Sequence, residues 1–214
     1  MADNSGATIV AIANQKGGVG KSTTAINLGA GIALLGEKVL LVDLDPQGNT
    51  SSGLSIDRGS IEMSTYEVLI DDVPIDEAVE PTSVRDLYVV PATIELAGAE
   101  IELVSMFSRE KRLATALKPV VDEYDFILID CPPSLGLLTI NGLAAANEVA
   151  IPIQCEYYAL EGVSQLIRNV QLVKQSLNPE LEVEGVILTM FDGRTTLSAD
   201  VVGQVREHFG DTTY

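Results

Sequence analysis

One ten-residue segment, NQKGGVGKST (14–23), limits the folds open to this chain. It stands between an apolar run, TIVAIAN (8–14), that reads as a buried strand and a stretch from Lys21 to about Leu35 that reads as a helix stopped by Gly36. The glycines let backbone N–H groups approach an anion without Cβ clashes. The start of a helix adds free N–H donors and a favourable dipole. A strand, a glycine-rich turn and a helix in this order are the context that marks a phosphate loop. Lys16, Gly17, Gly18, Val19, Gly20, Lys21, Ser22 and Thr23 are then the expected nucleotide cradle. Lys21 reaches the β- and γ-phosphates of ATP, and the Ser22 hydroxyl binds magnesium. The loop departs from G-x-x-x-x-G-K-[ST] at its first position, where Gln15 stands for glycine. A second lysine, Lys16, sits near the loop's start, and an ordinary phosphate loop has no role for it.

The rest of the chain alternates in the same way. KVLLVDL (38–44), LYVVP (87–91), FILID (126–130), EVAIPI (148–153) and GVILTM (185–190) read as strands. Helices are expected over 65–70, 94–104, 108–124, 137–147, 159–177 and 197–209, with Pro119 ending or kinking the third of these. Residues 45–62 read as a Gly/Ser-rich loop. Continuous Val/Ile/Leu runs flanked by helices imply a doubly wound α/β fold, a mostly parallel sheet with helices on both faces. At 214 residues, with no repeat or linker, one domain spanning 1–214 is expected.

In such sheets ligands bind at the carboxyl ends of the strands. VLLVDLDPQGN (39–49) ends its strand with two aspartates. Asp45 is placed to act on the attacking water or on magnesium, and Asp43, two residues before it, to be structural. FILIDCPPS (126–134) delivers Asp130 to the same edge, where it holds magnesium through water.

Composition excludes several classes. No stretch of about 18 apolar residues exists, so no membrane span is expected. The N-terminus, MADNSGATIVAIANQ, has no basic segment, so no signal peptide is expected either. Cys131 and Cys155 are too few for a disulfide framework and fit a reduced cytoplasm. His208 is the only histidine, which argues against a zinc site. Asp plus Glu is 31 against 13 Lys plus Arg, a net charge of -18. Such an acidic, lysine-poor surface suits a cytoplasm of molar salt, the alternative being a moderately acidic protein of an ordinary cytosol.

The K-G-G-V-G-K-[ST] form resembles the deviant Walker A group, which includes ParA/Soj, MinD-like ATPases and the nitrogenase iron protein. DLDPQGN, DCPPSLG, IPIQCEYYALEG (151–162) and LTMFDGRTTLS (188–198) are similar to the Soj branch of ParA, and the resemblance runs from about residue 8 to 210. It implies a magnesium-dependent ATPase that dimerises with ATP, stimulated by a partner. Lys16, Lys21 and Asp45 would be catalytic, Lys16 by reaching the other subunit's nucleotide, and Met190 would join the nucleotide-binding residues. It further implies an ATP dimer that binds DNA without sequence preference, associates with the nucleoid and responds to a centromere-binding ParB-like protein. Arg194, in DGRT, would contact DNA, with Arg168, Lys174 and Arg206 on nearby helices as candidates to join it.

MinD-like proteins share Lys16 and Lys21 but resemble this chain less at DPQGN and EYYALEG. Positioning of a cargo at a membrane or on a protein assembly is the alternative function. The iron protein bridges an Fe–S cluster with two cysteines per chain, but neither Cys131 nor Cys155 sits in a glycine-flanked cluster loop, so apolar packing is expected of both. Soj-like proteins continue beyond the point where this chain stops at FGDTTY, with another strand, a Pro-Arg-Asn-type segment that helps hold adenine, and a final helix.

Overall fold

The computed structural model describes residues 6–156 and 159–214. Tyr157 and Tyr158 of the EYYALEG segment therefore lie outside the described residues. The chain runs β1 (Thr8–Ile12), α1 (Lys21–Leu34), β2 (Val39–Asp43), α2 (Asn49–Gly53), α3 (Thr65–Ile70), β3 (Glu80–Pro81), β4 (Leu87–Val90) and α4 (Leu96–Glu102). It continues through α5 (Arg112–Leu117), β5 (Phe126–Asp130), α6 (Leu137–Ala145), β6 (Glu148–Gln154), α7 (Ala159–Ser176), β7 (Glu182–Thr189) and α8 (Thr196–Phe209).

The strands form a single sheet in the order β3-β4-β2-β5-β1-β6-β7. Every pairing is parallel except that of β3 with β4. Successive strand residues point to opposite faces, and the core divides accordingly. Val10, Ile12, Val39, Leu41 and Leu128 pack against Ala25 and Ala33 of α1. Ile9, Leu40, Val42, Ile127, Ile129 and Ile151 face the other way, onto α3 to α8. Gly29 allows α1 to lie close, since a Cβ there would stand 3.1 Å from Leu41 and 3.3 Å from Leu87.

Five differences from the sequence reading have physical causes. The 45–62 segment is not all loop, because α2 lies within it. Its sequence, NTSSG, has poor helix propensity, so tertiary bonds must hold it. The 108–124 helix is reduced to α5, preceded by Ser108 at φ 51° and followed by Pro119. β7 starts at Glu182, three residues earlier than expected, because an edge strand tolerates outward Glu182 and Glu184. Met190 leaves that strand with φ 53°. The two-residue β3, whose second residue is proline, carried no periodic signal.

Candidate nucleotide-binding site

β1, β2 and β5 lie together in the middle of the sheet, with Asp43 and Asp130 paired side by side at their carboxyl ends. The loop after β1 is anchored at its start by Asn14. Its Nδ2 donates to the Pro152 carbonyl at 2.7 Å, and its Oδ1 accepts the Lys16 N–H at 3.0 Å. Gly18 and Gly20 take φ of 74° and 90°, a region costly for any residue with a Cβ. No side chain caps α1, so its first N–H groups remain available to a ligand. The contrast with α3 is direct, since Ser64 and Glu67 close that helix with a capping box. Val19 contributes only backbone. Its side chain is buried, and its carbonyl accepts Thr189 Oγ1 at 2.8 Å.

The two lysines diverge. Lys21 is buried, and its Nζ donates to the Lys16 carbonyl at 3.3 Å. Burial lowers its pKa from the ordinary lysine value, while the Asp130 and Asp45 carboxylates oppose the shift. The half-exposed Lys16 ammonium instead pairs with Glu156, just past β6.

The three aspartates have distinct surroundings. Asp130 is buried, and its Oδ2 accepts Thr50 Oγ1 at 2.7 Å. Its Oδ1 has no hydrogen-bond partner among the described residues. Burial raises the Asp130 pKa, opposed by the nearby Ser22 and Thr50 hydroxyls and by Lys21. A buried carboxylate oxygen without a donor is costly unless a cation or its water meets it. Together with the Ser22 hydroxyl it is an oxygen set that suits magnesium, so Ser22 and Asp130 fit that metal. Asp45 lies nearby with its Oδ1 accepting the Gln47 N–H at 2.9 Å. Asp43 is a fastener. Its Oδ1 accepts the Asp45 N–H at 3.1 Å, and its Oδ2 accepts Ser51 N–H at 2.9 Å and Ser51 Oγ at 2.7 Å. Burial, and next to it Asp130, pushes the Asp43 pKa up to about 7, with the Ser51 bonds pulling it down.

A cleft of about 520 Å³ opens beside Lys21, Ser22 and Asp45, while Asp43, Asp130 and Lys16 are not among its lining residues. Gly17, Gly18, Gly20, Lys21, Ser22, Thr23, Asp45 and Met190 border it, which brings most of the sequence-derived residues to one place. Gln47, Asn49 and Pro133 border it too. The segments DPQGN and DCPPS contain all three, but only their aspartates signal chemistry by residue type. A larger groove of about 800 Å³ on the far side of α1 is lined mainly by apolar residues such as Leu28, Ile32 and Leu128. It lacks the phosphate-loop lysine and glycines.

Arg194 lies apart from the cleft lining, in the loop after β7. Its guanidinium forms a two-contact fork on Asp192, Nε to Oδ1 at 2.9 Å and Nη2 to Oδ2 at 2.7 Å. Lys174 pairs with Glu182. Cys131 and Cys155 are buried free thiols.

The AAA domain family matches residues 7–183. The sporulation initiation inhibitor protein Soj of Bacillus subtilis (strain 168) is 57% identical over 206 residues, covering 96% of this chain and 81% of that protein. The chain belongs to the ParA/Soj family. Members of this family are ATPases, and so is this one. Another ParA/Soj relative, the chromosome partitioning protein ParA of Myxococcus xanthus (strain DK1622), is 59% identical over 201 residues, covering 94% of this chain and 71% of that one. Among solved structures, cobyrinic acid a,c-diamide synthase from Mycobacterium smegmatis with bound ADP and magnesium superposes with a TM-score of 0.91 at 44% identity. That match covers 95% of this chain and 83% of that one.

Proposed function

We propose that this ParA/Soj protein is an ATP- and magnesium-dependent ATPase that dimerises around ATP, binds DNA without sequence preference and drives chromosome or plasmid partitioning. The relatives named Soj and ParA support the partitioning role. The nucleotide sits with its phosphates on the loop from Gly17 to Thr23 and with Lys21 against the β- and γ-phosphates. Ser22 and Asp130 would hold magnesium, which when bound would supply positive charge to the phosphates. Asp45 orients the attacking water. Met190 borders the nucleotide.

The observation that carries the dimer is the divergence of the two lysines. Lys21 alone turns into its own cleft, while Lys16 turns out to Glu156. Lys16 is thereby left for a second subunit's γ-phosphate. Gly17 supports the same reading, since nothing stands within 4 Å of where its Cβ would be. A second backbone has room to approach there. Hydrolysis reopens the dimer, and a centromere-binding ParB-like partner stimulates it. No helix among the described residues is long and apolar enough to cross a membrane, and we assign the protein to the cytoplasm, on the nucleoid when ATP-bound.

One observation favours the other reading, positioning of a membrane-bound or protein cargo. On a chain of net charge -18, the Arg194 fork is already held by Asp192. DNA titrations with an ATP analogue at several salt concentrations decide between them. Arg194→Ala is expected to weaken analogue-dependent DNA binding strongly while leaving DNA-free ATP hydrolysis unchanged. Wild-type protein that dimerises yet never binds DNA would favour the non-DNA cargo.

A further inference from the structure

Thr50 belongs to none of the roles assigned above, yet it is fully buried and touches the metal carboxylate. α2, which carries it, has little reason of its own to be helical. Its residues are Asn-Thr-Ser-Ser-Gly, and its N-cap is Gly48 at φ 61° with no side-chain cap. Two adjacent hydroxyls hold it in place. Thr50 Oγ1 donates to Asp130 Oδ2 at 2.7 Å, and Ser51 Oγ donates to Asp43 Oδ2 at 2.7 Å. The Asp43 carboxylate in turn accepts the Asp45 N–H at 3.1 Å. A continuous path of hydrogen bonds and covalent chain thus runs from Asp130 through α2 to Asp45.

A hydroxyl has one proton to give. By giving it to Oδ2, Thr50 occupies one oxygen of Asp130 and sets the rotation of the carboxylate. Oδ1 is left as the buried oxygen without a donor, the one that a metal-bound water would satisfy. We infer that Thr50 is a positioning residue for the magnesium carboxylate, and that its hydroxyl ties α2 to the metal site. The inference rests on the reading of Asp130 as the magnesium carboxylate. Residues that orient metal ligands in this way typically change metal affinity by about 10–100-fold when mutated.

The test is calorimetric binding of the non-hydrolysable analogue AMPPNP across a magnesium series and in EDTA. Thr50→Val keeps the side-chain shape without the hydroxyl, and Thr50→Ala replaces it if the valine variant does not fold. The expected result is a magnesium half-saturation about tenfold higher, AMPPNP affinity in EDTA equal to wild type, and recovery of the wild-type curve by Thr50→Ser. An unchanged magnesium curve overturns the inference. So does equal weakening with and without magnesium, or a serine variant no better than valine. Asp130→Asn is measured beside them. If it too keeps the wild-type magnesium curve, the Asp130 reading falls and the inference with it. If Asp130→Asn shifts the curve and Thr50→Val does not, only the inference falls.

Discussion

Glu156→Gln tests the cross-subunit duty of Lys16 from an unusual direction, by removing what restrains it. In the single chain the Lys16 ammonium is paired with Glu156, the side chains being 45% and 39% exposed. A lysine that crosses to a second subunit must leave that partner, and a two-fold dimer breaks two such pairs on closing. Exposed ion pairs are each worth about 0.2–1 kcal/mol, so two oppose closure by roughly 0.4–2 kcal/mol, about 2- to 30-fold in the dimerisation constant. Glutamine keeps the shape and removes the charge. Sedimentation analysis with AMPPNP and magnesium should therefore show tighter dimerisation of Glu156→Gln by a factor in that range. The gain should shrink with salt, because the screening length falls from about 10 Å at 0.1 M to about 3 Å at 1 M. Lys16→Ala, and the double variant, should bind AMPPNP yet fail to dimerise or hydrolyse ATP. Weaker dimerisation of Glu156→Gln at low salt would refute the reasoning, for it would place Glu156 among the contacts of the closed dimer. An unchanged constant would show that the pair offers no restraint.

Three other substitutions follow from the cleft. Lys21→Ala removes the buried ammonium that the proposed mechanism sets against the β- and γ-phosphates and should abolish ATP binding by calorimetry, so unchanged affinity would refute the phosphate-loop assignment. Asp45→Ala should bind AMPPNP and dimerise, while turnover falls by about 10²–10⁴-fold, the usual worth of a positioned acid or base. Wild-type phosphate release by that variant would remove Asp45 from the mechanism. Gly17→Val meets no protein atom within 4 Å and has no positive φ to strain, so the monomer should fold normally. It should nonetheless stay monomeric in AMPPNP, and a normal dimer would show that no backbone approaches there.

The parts of the fold visible in the sequence are those whose signal is local. FILID matches β5 residue for residue, because four apolar residues before an aspartate describe a buried strand ending at the sheet edge. The phosphate loop was visible for a similar reason, since its glycines, Lys21 and Ser22 act at fixed spacing between a strand and a helix. α2 was hidden because its stability comes from Asp43 and Asp130, the latter eighty positions away along the chain. No propensity scale records such a bond. Thr50 escaped notice with it, as did Gln47 and Asn49, whose residue types carry no distinctive chemistry until the cleft assembles around them. The Lys16–Glu156 pair was equally illegible, since its members are separated by 140 positions.

The outermost strand at one side of the sheet, Glu80–Pro81, has a consequence for how copies of this chain meet. A sheet border with free N–H groups can recruit a strand from a neighbouring molecule and grow into a fibre. Here that border is two residues long, turns antiparallel to the rest, and holds a proline that has no N–H to offer. On this side the molecule gives a growing ladder almost nothing to copy. Association of copies across the nucleotide cleft, as proposed above, would thus be spared competition from uncontrolled strand addition at this border.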